Sequence, residues 1–185
     1  MVTAFILALA LGARSSELHA LLRLDDNVVF SGDGVSLFPN PNFLAKNERP
    51  SNRRDPIFIP VLCLGDGVHH RLCPVALLRR YLLATSSTTS EKLFVDPERL
   101  SDLSVHKVRL LMCQLVRLAD RGSFPRSHDL RKMASSFAFF RTMSTEEICH
   151  ITGWSSFRVF KRHYLQRISE VSSSFVALGS RVSPN

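Results

Sequence analysis

Three short patterns carry the side chains that could do chemistry. Arg14 lies between two apolar stretches and is followed by Glu17. His128 and Arg131 stand three apart in His128-Asp-Leu-Arg131, so on a helix they face the same way. The run Gly153-Trp154-Ser-Ser-Phe-Arg-Val-Phe-Lys-Arg-His163-Tyr164 joins an indole, a group of cations and a phenol. Guanidiniums grip an oxyanion bidentately and stay charged throughout. A helix N-terminus adds partial positive charge that suits an anion. A phenol, with an unperturbed pKa of roughly 10, needs help to ionise. Each pattern also has a plainer reading. An arginine beside a glutamate is usually a surface pair, and a histidine at a helix start is usually structural. A tyrosine in line with Phe157, Phe160 and Ile168 is usually core.

The elements that must position these groups belong to a folded, basic protein. Hydrophobic residues make up 45% and charged residues 22%, which excludes a disordered or collagen-like chain. The length of 185 residues suits one domain with a sizeable core. Lys plus Arg exceed Asp plus Glu by 24 − 16 = 8, which points to a polyanion, nucleic acid before an anionic membrane surface. Cys63, Cys73, Cys113 and Cys149 show no C-x-x-C spacing and read as reduced, buried small hydrophobes. Cys63, His69, His70 and Cys73 have zinc-type side chains without a knuckle spacing, so no metal site is assigned. The apolar run 1–13 has no positive n-region and is too short to span a bilayer, so it reads as a buried helix. Such a helix at the start of the chain implies a fragment or an incomplete domain.

The pattern is helical from Thr3 to Leu22 with a break near Gly12, and Ser15 or Ser16 is placed as the cap of the second half. Short β-like runs follow at Asn27–Phe30, Val35–Phe38 and Ile57–Val61, with Gly32, Asp33 and Gly34 turning between the first two. Pro74 opens a helix through Leu83. An amphipathic helix is expected over 101–120, ending at Gly122, and another after a cap at Ser127. Ser144-Thr-Glu-Glu147 is a capping box. Gly153 ends that helix, and Ser155 or Ser156 starts a last one through Tyr164 to Ile168. The expected architecture is mainly α with a small antiparallel sheet on the N-terminal side, an α+β class, over 1–178 with a frayed tail at 179–185.

Together and in this order, the patterns resemble the tyrosine recombinase (phage integrase) family over nearly the whole chain. The family motif R…H-x-x-R…[H/W]…Y is filled by Arg14, His128, Arg131, Trp154 and Tyr164. The stretches Ala8-Leu-Ala10 with Glu17-Leu-His-Ala-Leu21, Leu72-Cys-Pro-Val-Ala-Leu-Leu-Arg-Arg-Tyr81 and Phe43-Leu-Ala-Lys46 resemble the branch encoded by DIRS-like retroelements. Trp in place of His, and the spacing of ten from Trp154 to Tyr164, suit that branch.

The resemblance implies the fold of a DNA breaking-rejoining catalytic core and a 3′-phosphotyrosyl intermediate formed by Tyr164. Arg14 and Arg131 would hold the phosphate, His128 would relay the tyrosine proton, and Trp154 would donate its indole N–H to the phosphate. Lys46, between the second and third β-like runs, would protonate the leaving 5′-oxygen. Neither metal nor ATP is implied, because the covalent link keeps the bond energy. The partner would be double-stranded DNA, bound by a homo-oligomer, a tetramer in this family, with no membrane and no small-molecule substrate. Arg53 and Arg54 beside Lys46, Arg126 and Lys132 beside His128, and Arg158, Lys161 and Arg162 beside Tyr164 form an expected backbone footprint. Family members usually carry an N-terminal clamp domain, for which this chain has no room. A retroelement origin implies a nuclear protein. Two other readings fit part of the sequence: a helix-turn-helix regulator built on 145–167, and a decayed recombinase fold that only binds DNA.

Overall fold

The computed structural model describes residues 2–45, 48–51, 53, 55–63, 70–119, 127–140, 144–152 and 158, without the side chains at 119, 127–129, 137–140 and 150–152. The chain divides into two compact units, Met1–Ala134 and Ser135–Asn185.

In the first unit, α1 (Val2–Leu11) is apolar on every side and is held in the core, with Ala4, Leu7, Ala8 and Leu11 buried. It ends in a Schellman motif. Gly12 adopts φ 55°, its N–H donates to Leu9 O at 3.4 Å, and the Ala13 N–H donates to Ala8 O at 3.1 Å. The break expected near Gly12 thus has a defined geometry, which glycine adopts without a Cβ penalty. The short helix α2 (Ser15–Ala20) follows at once. Its N-cap is Arg14 and not Ser15 or Ser16: the Arg14 carbonyl accepts from the Leu18 N–H at 2.9 Å, so both serines already lie inside the helix.

Three strands form an antiparallel sheet in the order β1-β2-β3: β1 (Val28–Phe30), β2 (Gly34–Leu37) and β3 (Ile57–Pro60). Val28, Leu37 and Ile57 share one row, and Phe30, Val35 and Ile59 another on the same, inward face. Gly34 sits where β3 passes close. A Cβ added there would lie 2.3 Å from the Ile59 carbonyl oxygen, a backbone atom that cannot step aside. Gly34→Ala is therefore expected to cost about 1–3 kcal/mol, as overpacking does. A urea-melt midpoint within error of wild type would contradict this reading.

Pro74 is the first residue of α3 (Pro74–Ala84), as its fixed φ favours. Tyr81 on α3 anchors the following segment: its hydroxyl accepts from the Val95 N–H at 2.8 Å and donates to Val95 O at 3.3 Å. The amphipathic helix α4 (Val105–Ala119) starts four residues later than its pattern suggests. Ser104 caps it, with Oγ accepting from the Lys107 N–H at 3.2 Å, while Asp102 pairs as a β-bridge with Val95 and Leu103 is buried. Tertiary pairing thus takes residues that helical periodicity alone assigns to the helix. Its end near Gly122 lies outside the described residues. Val108, Met112 and Val116 form the buried stripe of α4, against which α1 and α2 pack. The helix α5 (Ser127–Phe140) takes Ser127 as its first residue, where the sequence suggests a cap before His128, and brings Leu130 into the core.

In the second unit, α6 (Thr145–Thr152) opens with the expected capping box. The Glu147 N–H donates to Ser144 Oγ at 3.1 Å, and the Ser144 N–H donates to Glu147 Oε2 at 2.9 Å. The last helix expected from Ser155 or Ser156 lies outside the described residues.

Of the four cysteines only Cys73 is buried. Cys63 is exposed, and Cys113 and Cys149 are partly covered, which corrects the expectation of four core thiols. Burial pushes the Cys149 thiol up, and the nearby Glu146 charge adds to this. Among the described residues no cluster of three or more His, Cys, Asp or Glu could hold a metal, and no helix is long and apolar enough to cross a membrane.

His19 on α2 gives the fold a pH dependence. Burial lowers its pKa below 6.5 and the Lys92 charge lowers it further, against a backbone hydrogen bond to Leu103 and the Asp102 charge, which raise it. The folded chain then holds this proton less well than the unfolded chain. Stability is full above pH 6.5 and falls as pH drops below it. His19→Gln should flatten that part of a stability–pH profile, and an unchanged profile would exclude His19 as its source.

Candidate active site

Two arginines far apart in the chain meet on one carboxylate. Arg14 Nη1 donates to Glu17 Oε1 at 2.7 Å, and Arg131 Nη1 donates to Glu17 Oε2 at 3.1 Å across 114 residues of sequence. The local structure explains each position. The Schellman turn stops α1 and sets Arg14 as the N-cap of α2. Glu17, at the third position of α2, folds back so that Oε2 accepts the Arg14 backbone N–H at 2.8 Å. The same turn presents the Gly12 carbonyl, which accepts from Arg131 Nη1 at 3.1 Å. Arg131 reaches both acceptors from the first turns of α5.

Burial sets the energetics. Arg131 is 1% exposed, a position where a guanidinium is tolerated only if it is paired and hydrogen-bonded. The side chains of Glu17 and Arg14 are 9% and 18% exposed. The pair is therefore no surface ion pair of the common kind, and Arg14 keeps the more open edge. Arg14, Arg131 and Glu17 by themselves carry two positive charges and one negative.

A half-open cleft of about 70 Å³ reaches Glu17, and its lining includes Ala45, Glu48 and Asp55 from the β2–β3 connection but neither arginine. The Ala45 N–H donates to Glu48 Oε2 at 3.0 Å and the Glu48 N–H to Ala45 O at 2.9 Å. The sequence candidate Lys46 falls between these two residues but outside the described ones. So do Trp154, Tyr164, Arg54, Arg126, Lys161 and Arg162, and the side chain of His128. Arg53 is exposed, with Nη1 donating to Asn40 O at 3.4 Å; Lys132 is half-buried and Arg158 exposed. The structure thus joins Arg14 with Arg131 and brings the flanks of Lys46 to the cleft at Glu17.

The sequence reading takes Glu17 as a neighbour of Arg14 in a common surface pair and as part of a longer resemblance, and gives it no role in the site. Its signal was the Arg14-x-x-Glu17 spacing, in which a third-position glutamate reaches back over a helix start. The Gly12 carbonyl had no signal beyond the break itself.

No protein-family model matches the chain, and no curated protein matches it in sequence. Solved structures do match. The XerH site-specific recombinase in a post-cleavage complex with a palindromic difH substrate superposes with TM-score 0.63 at 14% identity, over 92% of this chain and 44% of that one. The XerA recombinase gives 0.59 at 17% identity, over 96% and 57%. A lambda integrase dimer bound to a COC′ core site gives 0.54 at 17% identity, over 86% and 50%. The chain spans about half the length of these structures. The mixed helical chain with its three-stranded antiparallel sheet therefore has the fold of the catalytic domains of tyrosine recombinases and integrases.

Proposed function

We propose that this chain is the catalytic domain, residues 1–178 with a short tail at 179–185, of a tyrosine recombinase that breaks and rejoins double-stranded DNA. The observation that carries the reading is the meeting of Arg14 and Arg131 on Glu17 in a chain with this fold. Two guanidiniums fixed beside one another suit the non-bridging oxygens of a phosphodiester. Tyr164 is the nucleophile: its oxygen bonds to phosphorus as the bond to the 5′-oxygen breaks, leaving a 3′-phosphotyrosyl link and a free 5′-hydroxyl. His128 takes the tyrosine proton, Lys46 supplies the proton to the leaving oxygen, and Trp154 donates its N–H to the phosphate. Attack by a 5′-hydroxyl reseals the strand, with no metal or nucleotide cofactor.

Arg53, Arg54, Arg126, Lys132, Arg158, Lys161 and Arg162 provide salt-dependent contacts to the DNA backbone. The working form is a homo-oligomer on DNA, a tetramer by family resemblance. The DIRS-like retroelement branch, integration of a mobile element and a nuclear location belong to the same reading. A helix-turn-helix regulator would account for 145–167 alone, whereas the recombinase fold accounts for most of the chain.

The test is incubation with a nicked suicide substrate, followed by denaturing electrophoresis. The expected result is a protein–DNA adduct that survives denaturation and disappears in Tyr164→Phe. A clamp domain supplied in trans or by fusion is the control. DNA binding without any adduct, with that domain present, would leave only a DNA-binding protein.

A further inference from the structure

We propose that Asn40 is a positioning residue for strand cleavage: it fastens the β2–β3 connection, which carries Lys46, to the end of α2, whose start carries Arg14. The inference rests on the reading of Lys46 as the acid for the leaving 5′-oxygen and of Arg14 as a phosphate ligand. It adds the residue that sets one against the other. The side-chain amide Nδ2 of Asn40 donates to Ala20 O at 3.0 Å. Ala20 is the last residue of α2, and the final carbonyls of a helix have no partner within it. Arg14 is the N-cap of the same helix, about 9 Å of helical rise away.

Asn40 also organises its own side of the contact. Its Oδ1 accepts from the Asn42 N–H at 2.8 Å, an Asx turn, and its carbonyl accepts from the Phe43 N–H at 3.1 Å. The same carbonyl accepts from Arg53 Nη1 at 3.4 Å, so the two arms of the connection meet on one residue. Ala45 and Glu48, on either side of Lys46, line one cleft with Asn40 and Ala20. Ordering a connection of this length costs conformational entropy, and a bond to a helix end holds its first arm in place. Proton transfer needs the acid within hydrogen-bond reach of the oxygen it serves. A misplacement of about 1 Å can cost about 10²-fold in rate. Releasing Asn40 from Ala20 therefore weakens protonation of the leaving oxygen more than it weakens the hold on the phosphate.

The experiment measures single-turnover adduct formation by the full chain, with the clamp domain supplied, on two suicide substrates. One is ordinary DNA. The other has sulfur in place of the bridging 5′-oxygen at the phosphate that wild type cleaves. A thiol ionises at a pKa of about 8.5, so a 5′-thiolate leaves without a proton, whereas the 5′-oxygen needs one. Asn40→Ser keeps an acceptor for the Asn42 N–H but is too short to reach Ala20 O. It should cleave ordinary DNA about 10–10²-fold more slowly than wild type, and sulfur-bridged DNA within about threefold of it. Lys46→Ala, measured alongside, should show the same rescue after a larger deficit on ordinary DNA, about 10²–10⁴-fold.

Circular dichroism checks that the variant folds. If it does not, Asn40→Asp takes its place, since it keeps the turn acceptor and lacks the N–H donor. A merely structural role for Asn40, or a role in holding the phosphate, would slow both substrates alike while Lys46→Ala is rescued by sulfur. That result overturns the proposal and leaves the acid in place. An Asn40 variant that cleaves both substrates as wild type does overturns it too. If sulfur does not rescue Lys46→Ala, that lysine is not the acid, and the inference falls with it. If wild type forms no adduct on either substrate, the recombinase reading itself falls and takes the inference along.

Discussion

Replacing Glu17 by leucine is expected to destabilise the protein by about 3–5 kcal/mol. The substitution takes the carboxylate away from Arg131, whose side chain is 2% exposed, and so removes a close ion-pair partner from a buried guanidinium. It also removes the acceptor of the Arg14 N–H at the start of α2. Urea denaturation followed by circular dichroism measures the loss. Glu17→Gln should cost less, because its amide oxygen still accepts a hydrogen bond. A loss below about 1 kcal/mol in Glu17→Leu would mean that the carboxylate does not hold Arg131.

Arg14→Ala is expected to separate chemistry from folding. Arg14 is the more open member of the triad and Glu17 keeps Arg131 as a partner without it, so the loss of stability should stay at about 1–2 kcal/mol, below that of Glu17→Leu. The rate of adduct formation on a suicide substrate should nevertheless fall by about 10²–10³-fold, the usual effect of removing one donor from a developing oxyanion. DNA affinity should change little, since many backbone contacts share it. An unchanged adduct rate per bound complex would remove Arg14 from the phosphate clamp. Arg131→Lys should fail both tests. One guanidinium nitrogen, Nη1, makes both bonds, to Gly12 O and Glu17 Oε2, and a lysine would bring a compact, strongly hydrated ammonium to this buried position in place of the delocalised guanidinium.

Much of the local structure was legible because its causes are local. The Ser144–Glu147 box, the Pro74 helix start and the Gly12 break each depend on residues within about one turn. The three strands were readable from apolar runs separated by turn residues, and their pairing matches to within a residue at each end. The errors have equally plain causes. Ser15 and Ser16 are good capping residues, yet the Schellman turn sets the register of α2 one residue earlier. Residues 101–104 continue the helical pattern of α4, yet a β-bridge from Val95 to Asp102 claims them. Cys63, Cys113 and Cys149 are small and apolar, but side-chain type does not say which face a residue occupies.

By itself, then, the sequence determined the residue types and their order: a positive chain, Arg14 and Glu17 at a helix start, and an Arg131 one turn after His128. It could also be matched in order to a known motif. Only the tertiary structure decided that Arg14 and Arg131 share one carboxylate, that the Gly12 carbonyl also accepts from Arg131, and that Ala45 and Glu48, on either side of Lys46, line the cleft at Glu17. The reason is physical. Spacing along a helix fixes which side chains are neighbours within a few residues. Contact across 114 residues depends on how α1, α2, α4 and α5 pack around a common core, which no short-range pattern records.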